Sequence, residues 1–194
     1  MNKNRMEAFS DGVIAIIITI MVLELKVPHE HDLASLRPMG SVFGAYVLSF
    51  LYVGIYWNNH HHLLHATKRV SAGVLWANLH LLFWLSLVPF AAAWMGESRL
   101  AAAPTAIYGV VMVGAGFGYY ILSSAIIAQE GPESLLGKAV GPDWKGRLSP
   151  VCHCAAIPLA FVSPWISGGL YAFVALLWLI PDRRIERVLV QHEP

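Results

Sequence analysis

Arg5, Phe9, Ser10 and Asp11 form an R-x-x-x-F-S-D string at the mouth of an apolar run, Gly12 to Leu23, in which Thr19 is the one polar side chain. A carboxylate heading a membrane-length apolar helix is costly to desolvate, so Asp11 must be paired inside the protein or serve a function there. Donors are available further along. Trp57, Asn58, Asn59, His60, His61 and His62 close the second apolar segment, and Trp76, Asn78 and His80 lie early in the third. If the first three helices are neighbours, these groups meet Arg5, Ser10 and Asp11 at similar depth. Lipid offers no other partner, so such a network satisfies its own members and fixes how the first helix stands.

Other residue patterns invite chemistry and support it less. His61 and His65 share a helix face at i, i+4, which raises a metal reading for the His60–His65 cluster, yet no helical carboxylate nearby completes a site. Hydrogen-bonded roles at the headgroup level are expected instead. His29, Glu30, His31 and Asp32 read as a solvated loop cluster. Cys152-His153-Cys154 is too tightly spaced for a usual zinc site and reads as two buried thiols. Gly114, Gly116 and Gly118 read as a close helix contact. No G-x-S-x-G, H-E-x-x-H, phosphate-cradling loop or membrane carboxylate pair is present, so neither an enzyme nor a bound cofactor or metal is expected.

The elements that position these residues follow from composition. Of 194 residues 57% are apolar and 13% charged, and the mean hydropathy is +0.57, values that suit a bilayer rather than water. Six apolar segments can be marked at about 6–25, 40–57, 70–94, 101–128, 148–163 and 167–181, the last two shorter or broken by proline. They predict an all-α membrane protein of six transmembrane helices, one domain spanning 1–194. Glu7 and Asp11 interrupt the first segment and no small-residue cleavage site follows Leu25, so it reads as a retained helix rather than a signal peptide.

Ten Lys and Arg, among them Lys68, Lys138, Arg183, Arg184 and Arg187, fall on the side of the N-terminus, against Lys26, Arg37 and Arg99 on the other. This asymmetry predicts a multi-pass protein of the inner (plasma) membrane with both termini cytoplasmic. The charged stretch 182–194 is expected to extend the sixth helix past the headgroups. A net charge of +1 with basic residues spread along membrane edges gives no nucleic-acid surface. At 100° per residue Ile20 and Leu23 fall within about 40° of Ile16, with Thr19 flanking them, while Asp11 lies about 140° away. On periodicity alone that stripe faces lipid or another helix.

Arg5-x-x-x-Phe9-Ser10-Asp11-Gly12, the run Val13 to Ile20, Leu23-Glu24, Trp57-x-x-His60-His61, Asn78 and Pro89-Phe90 resemble the bacterial members of the transmembrane protein 175 family of potassium channels. The resemblance spans nearly the whole chain. It implies a six-span subunit in a homotetramer whose pore is lined by the first helix, with ion-path residues five, nine and twelve positions after the motif Asp. Those positions are Ile16, Ile20 and Leu23, the stripe above, with Thr19 able to hold hydrated ions. Ile16 is then a hydrophobic neck that dewets when narrow, potassium ions are the permeant species, and Glu24 gathers cations at the mouth. Arg5, Phe9, Ser10 and Asp11, with Trp57, His60, His61, Asn78 and His80, position the helix from behind. The alternatives are a proton-coupled or metal-ion secondary transporter using the His-rich end of the second helix, and a non-conducting scaffold. Against a transporter, the midplane carries almost no charge and the chain has no two related halves.

Overall fold

In lipid a backbone must bond to itself, so each long apolar run without proline is committed to helix. The computed structural model describes residues 2–28, 31–65, 67, 69–131, 134 and 144–179, and its elements are helices joined by turns. Helix α1 (Lys3–Leu23) opens on Asn2, whose side chain accepts from the Asn4 N–H at 3.3 Å. A 3-10 turn over Leu33–Met39, capped by Asp32, leads into α2 (Gly40–His65). This helix runs eight residues past the expected end at Trp57, because 58–65 contains neither Gly nor Pro.

The third apolar segment is two helices. Ser71 caps α3 (Ala72–Ser86), Leu87 interrupts, and α4 (Val88–Glu97) follows with Pro89 in its first turn. Pro89 has no N–H and its ring crowds the carbonyl of Leu85, so the helical hydrogen-bond ladder is broken here while Leu87 keeps right-handed helical backbone. Helix α5 (Ala102–Glu130) is the longest, and α6 (Trp144–Leu159) and α7 (Pro164–Leu179) have 16 residues each. Four stretches, 3–23, 33–65, 72–97 and 102–130, are long and apolar enough to cross a membrane. Residues His29, Glu30 and Lys68, most of the 129–147 loop including Lys138, and the end of the last segment with the 182–194 tail lie outside the described residues.

Helix α5 is the centre of the bundle, packed on α3, α4, α6 and α7, while α1 lies against α2, α3 and α4. Close approach to α5 rests on two of the three expected glycines. A Cβ at Gly114 would fall inside the Trp84 indole, and one at Gly118 would come within 2.9 Å of the Leu81 Cα. Gly116 meets only the Tyr56 hydroxyl at 3.6 Å and is spectator to that contact. Buried hydroxyls tie the remaining helices. Tyr52 Oη donates to the Tyr171 carbonyl at 2.7 Å and meets His153 Nε2 at 3.0 Å, and Tyr171 Oη donates to the Thr105 carbonyl at 2.9 Å. His153 is buried in this cluster, but Cys152 is only half-buried and Cys154 is exposed, so the expectation of two buried thiols does not hold: neighbours in a helix point about 100° apart.

At the far end of the bundle, α4 closes on α5 through Arg99 and Leu100, both with positive φ (51° and 61°). The Leu100 N–H bonds the Met95 carbonyl at 2.9 Å. That left-handed turn costs about 1–2 kcal/mol per non-glycine residue and is held by the helices on either side.

Gly114→Ala should lower stability by about 1–3 kcal/mol, the usual cost of overpacking, whereas Gly116→Ala should be neutral. Thermal unfolding of the two purified variants in the same detergent checks the difference, and equal midpoints would remove Gly114 from the α3–α5 contact.

Candidate functional site

Helix α1 has two unlike faces. Met6, Ser10, Ile14, Ile17 and Met21 recur at three- and four-residue intervals and are buried against the bundle. Within that stripe Ser10 begins a polar chain. Its Oγ donates to the Met6 carbonyl at 2.9 Å and accepts from Asn78 Nδ2 at 2.9 Å, and Asn78 Oδ1 faces His60 Nε2 at 2.7 Å. A carbonyl can only accept, so the direction is set from its end: Ser10 gives its proton to Met6, Asn78 gives to Ser10, and His60 Nε2–H gives to Asn78. Ser10, Asn78 and His60 are all at most 1% exposed. His60 Nδ1 is then a bare lone pair, and it has no hydrogen-bond partner among the described residues.

The motif carboxylate is held separately. Asp11 accepts from Trp57 Nε1 at 3.0 Å, bridging α1 and α2 beside the buried chain. One turn below, Glu7 pairs with His61 Nδ1 at 3.3 Å, and His61 lies against the rings of Trp57, His62 and His65. Lys3 Nζ reaches the His65 carbonyl at 3.0 Å, closing the end of α2. Thus Ser10, Asp11, Trp57, His60, His61 and Asn78 come together where the first three helices meet.

Three residues expected in that network stand elsewhere. His80, two positions and about 200° around α3 from Asn78, accepts from Trp84 Nε1 at 3.0 Å and lies against Phe117 of α5. Arg5 and Phe9 are exposed, each about 20° from the direction of Ile16. They stand at the foot of the Ile16 face rather than behind it.

The outward face is apolar and open. Ile16 is 58% exposed, Ile20 42% and Leu23 77%, and Thr19 Oγ1 donates to the Ile16 carbonyl at 2.9 Å. Val22, on another side of the helix, is 46% exposed, so exposure alone does not single out the stripe. Geometry adds a second observation. Ile16 and Ile20 line an open groove of about 720 Å3 between α1 and α4, whose other wall includes Pro89, Phe90 and Trp94, and which also touches Glu24 and Glu97. Lys26 lies beside that end and bonds Glu97 at 2.6 Å; the neighbouring carboxylate holds the ammonium pKa above its ordinary value. No sequence pattern announced the Lys26–Glu97 pair, because its members are 71 residues apart. Among the described residues no three His, Cys, Asp or Glu are grouped to hold a metal ion.

Removing one member of the buried chain should leave its neighbours unpaired. Ser10→Ala and Asn78→Ala should each destabilise by about 1–3 kcal/mol, and the double variant by much less than their sum. Thermal unfolding of all three variants checks this, and strict additivity would dissolve the chain into separate contacts.

The sequence model of the endosomal/lysosomal potassium channel TMEM175 matches residues 5–89, which holds α1 from Arg5 onward, α2 and α3. A potassium channel of Chryseobacterium sp. (strain P1-3) is 52% identical over 192 residues, 99% of this chain and 100% of that one. The endosomal/lysosomal proton channel TMEM175 of Homo sapiens is 40% identical over 96 residues, 43% of this chain and 19% of that one. Among solved structures, the fold is similar to the crystal structure of a lysosomal potassium-selective channel TMEM175 homolog from Chamaesiphon minutus. The TM-score is 0.77 at 27% identity, covering 92% of this chain and 96% of the other. With the helix anchor built on Ser10 and Asp11 of the motif, and a relative 52% identical over 99% of this chain, the chain belongs to the TMEM175 family of ion channels and is not an enzyme.

Proposed function

We propose that the protein is a potassium-permeable cation channel, residues 1–194 forming one subunit of a homotetramer in the plasma membrane with both termini cytoplasmic. The observation that carries the reading is the division of α1. One face is locked to the bundle through Ser10, while the opposite face exposes Ile16, Thr19, Ile20 and Leu23. A single such face supplies one wall, so several copies related by closed symmetry must supply the rest. The names of the bacterial relatives support potassium as the permeant ion, and no cofactor is invoked.

Four Ile16 side chains around an axis make a neck that dewets when narrow and conducts when α1 tilts or rotates outward. Stripping water costs less for potassium than for the smaller sodium ion, and the Thr19 oxygen above the neck helps hold the partly hydrated ion. Discrimination by this route is modest, since no ring of carbonyls replaces the whole hydration shell. Glu24 sits at the outer mouth, where its charge gathers cations. The role of Ser10, Asp11, Trp57, His60, His61 and Asn78 is to fix the azimuth of α1. His60 is engaged with Asn78 and His61 with Glu7, so a transporter built on the His-rich end has no observation in its favour.

Planar-bilayer recording of the purified protein under potassium and sodium gradients tests the reading: an ohmic current following the potassium gradient is expected, and saturating flux that requires a proton gradient would replace the channel by a transporter. Ile16→Asn should wet the neck, raising current several-fold and reducing discrimination among cations. Selectivity equal to that of the wild type would move the neck elsewhere. Leu23→Cys should crosslink between subunits under mild oxidation and Val22→Cys far less; a monomer by light scattering without a Leu23 crosslink would leave the channel without a pore.

A further inference from the structure

The outer end of the groove carries two carboxylates and one ammonium. Glu24 follows directly on α1 and is exposed, Glu97 ends α4, and both touch the groove that Ile16 and Ile20 line. Lys26, beyond α1, bonds Glu97 at 2.6 Å across the gap between the two elements. The Lys26 and Glu97 side chains are 80% and 49% exposed, and a pair in that setting contributes little as a mechanical tie. Its charge is another matter. A field at the mouth of a low-dielectric path sets the local concentration of permeant ions and acts beyond contact distance. Per subunit the groove end carries two negative charges from Glu24 and Glu97, and Lys26 reduces that to one.

We propose that Lys26 is a built-in attenuator of cation entry, a charge-setting residue that pairs with Glu97 and so leaves one net negative charge from Glu24, Lys26 and Glu97 together at the outer end of each groove. The inference rests on the channel reading. It assigns to Lys26 and Glu97 a part in inward conductance that neither the motif nor the pore stripe supplies. Lys26→Gln gives two net negative charges per subunit, Glu97→Gln gives none, and the double variant restores one. A broken tie makes all three alike; a charge effect orders them.

Single-channel recording of the three full-length variants and the wild type, in symmetrical KCl at about 20 mM and about 1 M, separates these cases through the change in Debye length. At the low concentration Lys26→Gln should raise inward potassium conductance about twofold, Glu97→Gln should lower it by a similar factor, and the double variant should return it to the wild-type value. At the high concentration, where screening acts within about 3 Å, all four should converge. Outward conductance should move less than inward. The same shift in all three variants, or no shift for Lys26→Gln while the wild type conducts, overturns the attenuator and leaves the channel reading standing. A wild type that passes no potassium overturns both.

Discussion

Lipid cannot satisfy a buried amide, hydroxyl or imidazole, and the arrangement of α1 follows from that restriction. Ser10, Asn78 and His60 come from three helices and are buried, and each bonds another, His60 through Nε2 alone among the described residues. Their bonds hold one arc of α1, about 80° wide from Met6 to Ile14, against the bundle. The opposite face is then committed outward, whatever covers it. Rotating α1 by one residue would expose Ser10 and orphan the Asn78 amide, at a cost of about 1–3 kcal/mol. An apolar stripe is cheap to place on any side of a membrane helix, and the small polar residue one or two turns below decides which side it takes.

Asn78 is the position where this chain of bonds is most demanding. It gives a proton to Ser10 and takes one from His60, on opposite sides of one short side chain. An aspartate can only take when ionised, and a serine cannot span both neighbours. An amide of that length is the group that fits both requirements. The bonds run in one direction and polarise one another, as hydrogen bonds in series do in a low dielectric.

Much of this was legible in the chain, for reasons that differ by residue. The four long apolar helical stretches were visible because a bilayer imposes a minimum length on apolar runs, and the pairing of Asp11 with a second-helix donor because the alternatives in lipid are so few. His80 is close to Asn78 along α3, but position along a helix is not azimuth, and a residue 200° from Asn78 looks to another helix. Adjacency in the string groups Arg5 and Phe9 with Ser10 and Asp11, although a helix sends them to the Ile16 side. Pro89 signalled the break in the third span, but a 25-residue apolar run obscured it. Glu97 and Lys26 meet through the packing of α4 beside α1, and no local pattern encodes such a meeting. A place inside an apolar segment predicts burial for Cys154, yet such a helix has an outward surface too, and Cys154 is on it.

The interruption at Leu87 divides one membrane crossing into unequal rods. Helix α3, with 15 residues, is about 22 Å long and α4, with 10, about 15 Å, so neither reaches across a core of about 30 Å unaided. Asn78 stands on the longer rod, while Pro89, Phe90 and Trp94 form the groove wall on the shorter one. A single crossing therefore carries the anchor on one segment and the groove wall on the next, with Leu87 between them still in right-handed helical backbone. The proline joint lacks a backbone hydrogen bond, so a small shift of the groove wall on the shorter segment need not disturb the Asn78 bonds that set the rotation of the first helix.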